Sequence, residues 1–123
     1  MVNIPDYAMS LAAITPPKHK SNPAGWTYDK IAEYILDFQK DLDDDHEVGA
    51  FLANYPGGKI HIKNMGYSSP HIISFEGFSE DGNPVQLLQH FSQLNLVLVK
   101  VPKLHEKPIR IGFKIPTQPE EEQ

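Results

Sequence analysis

The 123-residue chain contains no cysteine. That absence excludes disulfides, thiolate nucleophiles and cysteine–zinc sites together. Arginine is almost missing as well: every cation but Arg110 is a lysine. Positive charge is in deficit overall, with 11 Lys+Arg against 16 Asp+Glu and a formal net charge of −5. A duplex-binding surface must cluster cations on phosphates, so no duplex nucleic acid is expected as a partner. No window approaches the roughly 18 consecutive apolar residues of a membrane span, so no membrane partner is expected. The opening MVNIPDYAMSLAAITPP lacks the basic stretch and long apolar run of a secretory signal. A cytoplasmic protein is the expectation from these absences.

What is present suits one domain. Residues 1–24, with TPPKHKSNPAG, read as an N-terminal arm, and 117–123, TQPEEEQ, as a solvated acidic tail. Residues 25–116 remain as a single domain, large enough to bury about two-thirds of its unfolded surface. Thr27 can cap a helix over YDKIAEYILDFQKDLD, with Asp29 near its positive end. Ile31, Tyr34, Ile35, Phe38 and Leu42 fall on one stripe at helical spacing, with Asp29, Glu33, Asp37, Lys40 and Asp41 opposite. The helix is expected to end among Asp43–Asp45.

Two hairpins follow. Val48, Ala50 and Leu52 alternate before a PGG turn, and Ile60 and Ile62 alternate with His61 and Lys63 after it. PHIISFEGFSEDGNPVQLLQH reads as the second hairpin, with Asp81-Gly82 at the tip. SQLNLVLVKV fits either a buried strand or a buried helix capped by Ser92. The need to cover a sheet layer favours a helix over about Ser92 to Lys100. IRIGFKI closes the pattern as a last strand, with Ile109, Ile111 and Phe113 on one side. The expected fold is α+β: an antiparallel sheet, an N-terminal amphipathic helix and a second buried helix.

Catalytic signatures are sparse. Six histidines are scattered without HExxH or helical pairing, so no metal site is expected. No GxSxG elbow occurs, and the acids from Asp43 to Glu47 read as a solvated run. PGG has no helix behind it and lacks the dipole of a phosphate cradle. Neither an enzyme nor a cofactor is indicated.

Binding groups are more evident. A lone arginine among ten lysines suggests a planar fork for carboxylate or phosphate, either Glu76 on a neighbouring strand or a ligand. Gln89, His90, Gln93 and Asn95 crowd the join of the second hairpin and the next element. Buried amides left unpaired cost about 1–3 kcal/mol each. They therefore need partners: turn backbone, a second subunit, or a ligand's base edge. Phe75, Phe78 and Phe91 are either core or stacking platforms for a base.

The runs GWTYDKIAEYILDFQKDLDDDHEVGA, GYSSPHIISFEGFSEDGNPVQLLQHFSQLN and RIGFKI resemble a family of small phage and prophage proteins of unassigned function. They further resemble the phage Thoeris anti-defence proteins of the first described type, over about residues 25–115. That resemblance implies a viral sponge, acting in the host cytoplasm, that binds cyclic ADP-ribose isomers without cleaving them. Some members of that family also hold cyclic oligonucleotides. It implies homo-oligomers, dimers or hexamers. It places Arg110 on the pyrophosphate, Asn95 upstream of it, and Phe78 or Phe91 on the adenine. Lys59 or Lys63 stands where that family has a second arginine; His90 and Gln93 would complete the ligand-binding set. A different class, a protein-binding inhibitor using the acidic helix face or a sheet edge, is the alternative.

Overall fold

The computed structural model describes residues 18–52 and 55–113. Residues 1–17 and 114–123, which include most of the expected arm and the whole acidic tail, lie outside the described residues. A short helix, α1 (Lys18–Ser21), precedes the main helix, α2 (Pro23–Gln39). Five strands follow: β1 (His46–Leu52), β2 (Ile60–Ser68), β3 (Ile72–Phe78), β4 (Pro84–His90) and β5 (Leu96–Pro102). They form one curled antiparallel sheet in the order β4-β3-β2-β1-β5, an α+β fold.

α2 starts earlier than Thr27 indicated. Asn22 is the cap, its Oδ1 accepting the Gly25 N–H at 3.0 Å, with Pro23 in the first turn. Proline suits that position because its missing N–H would have no helical partner there. The helix also stops at Gln39, short of the Asp43–Asp45 run. It lies across β1, β2 and β3 and buries Ala24, Gly25, Ala32 and Ile35. Ile31, Phe38 and Leu42 are half-buried, as the stripe predicts, but Tyr34 is 71% exposed.

The sheet's helix-facing side holds the core: Val48, Ala50 and Leu52 with Ile60, Ile62, Met65, Ile73 and Phe75. Strict alternation from Ile60 and Ile62 would turn Met65 outward. A register shift between Ile62 and Asn64 adds one residue to β2 and returns Met65 to the core. Both hairpins stand as the sequence predicts, the second turning through Ser79–Asn83.

The second buried helix is not formed. Phe91–Gln93 makes a single 3-10 turn, and β5 then pairs with β1 over seven residues, from Leu96 opposite Leu52 to Pro102 opposite His46. β-Branched LVLVKV fits a pleated surface better than a helix, where χ1 freedom is lost against the preceding turn. The covering layer is supplied by α2. Among the described residues the last strand is not formed either, although its alternation holds: Ile111 is buried, Ile109 and Phe113 pack on the core, and Arg110 and Gly112 are exposed. Its backbone is held by side chains in place of a ladder. Gln39 Oε1 accepts the Ile111 N–H at 2.8 Å and Gln39 Nε2 donates to the Ile111 carbonyl at 3.0 Å.

Gly77 in β3 faces Ile62 across the ladder, and a Cβ there would collide with the backbone carbonyl of His61. Backbone cannot swing aside as a side chain can. Gly77→Ala is expected to destabilise by about 2 kcal/mol or more, read by urea denaturation. Gly112→Ala, with nothing within 4 Å of the new methyl, is expected to be near neutral.

Candidate functional site

Glu47 is fully buried, so the reading of 43–47 as one solvated acidic run is wrong at its last member. Its place on β1 puts it on the outer face, opposite Val101 and diagonal to His61, which pairs with Gly49. A carboxylate away from water must find donors or cost several kcal/mol. Glu47 finds three. His61 Nδ1 lies 2.6 Å from Oε2, the Ile109 N–H donates to Oε1 at 2.8 Å, and the Leu104 N–H reaches Oε2 at 3.4 Å. A carboxylate can only accept when ionised, so this arrangement places the imidazole proton on Nδ1 and turns Nε2 the other way.

His61 is one wall of a cleft of about 270 Å³, shared with Lys59, Glu80, Val101, Pro102, Lys103 and Leu104. Lys59 lies 3.5 Å from Glu80, and Lys103 lies 3.5 Å from Asp45. All four side chains are partly or largely exposed, and such pairs are worth about 0–1 kcal/mol. An incoming anion can therefore displace either carboxylate cheaply. Phe78, the cross-strand partner of His61, meets His105 edge-on at 5.2 Å. Two ammonium groups and a fixed imidazole beside an aromatic ring can hold an anionic group on a flat molecule.

His90, Phe91 and Gln93 lie at the other end of strands β2–β4. His71 and His90 stack at 5.2 Å, His90 and Phe91 at 4.9 Å. The Phe91 N–H donates to the His71 carbonyl at 2.8 Å, and His90 Nδ1 accepts from the Ser92 N–H at 3.2 Å. Part of the polar crowding in this stretch is thus turn structure. Gln89 is buried with Oε1 unpartnered among the described residues, below a shallow cleft lined by Leu87, Leu88, His90 and Gln93. Asn95 is exposed just before β5.

Arg110 stands apart from both clefts. Its Nη1 donates to the His46 carbonyl at 2.8 Å and the Ile109 carbonyl at 3.3 Å, and its Nη2 to the Asp43 carbonyl at 2.7 Å. The fork ties the closing segment to the α2–β1 turn, and Glu76 is not its partner: Glu76 accepts from Gln86. Of the expected site residues, Lys59 lines the first cleft, with Phe78 across the ladder from His61, while His90, Phe91 and Gln93 gather at the far end of the sheet. Glu47, His61 and Lys103 were missed. The available signal was that EVGAFL continues β1 alternation through Glu47, in phase with Gly49, and that His61 sits between two core isoleucines.

A curled five-stranded antiparallel sheet under one helix, with a cation-rimmed cleft beside a buried carboxylate, defines a small α+β domain. Residues 21–114 match the DUF6173 family, a family of unknown function, and the chain belongs to it. No curated protein and no solved structure matches it. No helix among the described residues is long and apolar enough to cross a membrane.

Removing the Glu47 carboxylate leaves three donors behind. Glu47→Ala is expected to cost about 3–5 kcal/mol in chemical denaturation, while an apolar pair of similar volume at 47 and 61 is expected to cost far less. In the neighbouring turn, His46 and the Asp45 N–H both bond the Asp43 carboxylate and hold its pKa below the usual range. A depressed folded-state pKa stabilises above the unfolded value, about 3.9, and that gain disappears as pH falls through the folded value. Asp43→Asn is therefore expected to melt below the wild type at neutral pH, with the gap closing in acid.

Proposed function

We propose that this protein sequesters an anionic cyclic nucleotide, a cyclic ADP-ribose isomer or a cyclic oligonucleotide, and releases it unchanged. In this reading it is a phage anti-defence sponge of the Thoeris-inhibiting kind, working in the host cytoplasm as a homo-oligomer. The supporting observation is the cleft of Lys59, His61 and Lys103 beside Phe78. The lysines and His61 Nε2 take the pyrophosphate, and Phe78 offers a face to a base, a contact worth about 1–3 kcal/mol. At about 270 Å³ the cleft is small for a whole dinucleotide, below the roughly 300–1,000 Å³ usual for ligand pockets. The remainder of the ligand, and the roles of Asn95, His90, Phe91 and Gln93, then fall to a surface brought by another copy. Arg110 acts in this reading through the turn it holds.

A second reading is a protein-binding inhibitor. It draws on the exposed Glu33 and Asp37 of α2 and on Asp41 just beyond its end. Calorimetric titration of the full chain with cyclic ADP-ribose isomers and cyclic oligonucleotides separates the two. Nanomolar binding, about −12 kcal/mol, with intact ligand recovered after heating is expected. Lys59→Glu and Lys103→Glu should each weaken it more than tenfold, while charge reversal at Glu33 and Asp41 leaves it unchanged. No heat with any of these ligands contradicts the sponge.

A further inference from the structure

Four charged side chains stand around His61, and their signs cancel. Lys59, just before β2, and Lys103, just past β5, are the cations of the cleft rim. Glu80, in the β3–β4 turn, is the carboxylate of the same rim, and Glu47 of β1 is the carboxylate behind the ring. Asp45, 3.5 Å from Lys103, adds a further negative charge at the margin. Val101, Pro102 and Leu104 complete the lining without charge, and His105, edge-on to Phe78, is the other titratable group nearby. While the His61 ring is neutral, a cleft so composed has no net positive charge to offer an anion.

The neutral ring also presents the wrong atom. Glu47 holds the imidazole proton on Nδ1, so Nε2 carries a lone pair. Nε2 makes no hydrogen bond among the described residues, and it is not sealed from solvent. It therefore opens onto the cleft that the ring lines. A lone pair aimed at an anionic oxygen repels it, whereas an N–H there donates a charge-assisted hydrogen bond. One proton converts the first situation into the second. Glu47, buried and 2.6 Å away from the ring's other nitrogen, stabilises the imidazolium so formed. The same proton shifts the balance among Lys59, Lys103, His61, Glu47 and Glu80 from zero to one positive charge.

We infer that the cleft binds a tetrahedral oxyanion together with one proton, taken from solvent onto His61 Nε2 and given back when the anion leaves, so that occupancy is coupled to pH. The inference rests on the reading of this cleft as an anion site, and it holds whether or not the anion belongs to a cyclic nucleotide. Its sign follows from the bound state, in which Nε2 is protonated. Affinity is greatest in acid and falls as pH rises past the point where the free ring loses its Nε2 proton. Beyond that point the loss approaches tenfold per pH unit, the linkage of a single proton. The lysines keep their charge through this range, so the dependence belongs to the ring.

Inorganic sulfate is the probe, because its own charge stays fixed from about pH 5 to pH 9 and any proton taken up comes to the protein. NMR titration of the full chain with sulfate at constant ionic strength is expected to give an affinity that falls steadily with rising pH. His61→Asn keeps a donor for Glu47 but has no Nε2, and its residual sulfate affinity should be flat in pH. His71→Gln, at the other end of the sheet, should leave the wild-type slope unchanged. Should His61→Asn fold poorly, the wild-type ring reports directly: sulfate added where free Nε2 is unprotonated should move its ¹⁵N resonance to the protonated position. A chain that ignores sulfate, a flat wild-type profile, or a slope that survives His61→Asn would each overturn the inference. Cyclic nucleotides that fail to bind, beside sulfate that binds with its proton, would remove the sponge reading and leave this inference standing.

Discussion

The buried carboxylate of Glu47 is the constraint on which the rest of the molecule turns. It stands inside β1, joins β2 through His61, and receives the backbone of the closing segment at Leu104 and Ile109. An unpartnered charge there would cost more than most of the core's individual contacts contribute, so these three groups must arrive together. Gln39 plays a neutral version of the same part from α2, gripping Ile111 on both its N–H and its carbonyl. Between them, one side chain on the sheet and one on the helix do the work of a sixth strand's ladder. The closing segment therefore wraps from the outer face of β1 to the end of α2, and Arg110 locks it against the turn in between.

This wrapping shapes the cleft of Lys59, His61 and Lys103. The Leu104 end of the segment forms one wall of the cleft, and Glu47 fixes the ring of His61 on another. The floor is buried, with the Glu47 carboxylate bonded to three partners. The rim adapts because Lys59 and Lys103 are held only by long, exposed ion pairs.

Much of the architecture is legible in the sequence, and the failures have identifiable physics. The hairpins show because period-2 alternation and the Asp81-Gly82 turn are local signals. α2 shows because Ile31, Ile35 and Phe38 repeat at helical spacing, although Asn22 and Pro23 outrank Thr27 as its start. LVLVKV was misread because an apolar run of that length has no period to separate helix from strand. Tertiary pairing with β1 decided it. The closing segment alternates like a strand, but its hydrogen bonds go to Glu47 and Gln39, which no pattern in its own residues reveals. The candidate site was legible only at Lys59 and Phe78. Glu47 hid in an acidic run, since burial of one acid among several depends on the strand register and not on its neighbours. Arg110 was read as a fork for a carboxylate or phosphate, but its acceptors within the chain are backbone carbonyls, which carry no sequence signature.

The most direct test of this account is ¹⁵N NMR of the His61 imidazole, followed while a cyclic ADP-ribose isomer is added. The account predicts a protonated Nδ1 held in a strong hydrogen bond to Glu47, and an Nε2 resonance that moves on binding while Nδ1 stays fixed. A proton found on Nε2 alone, or an imidazole that ignores saturating ligand, would contradict it.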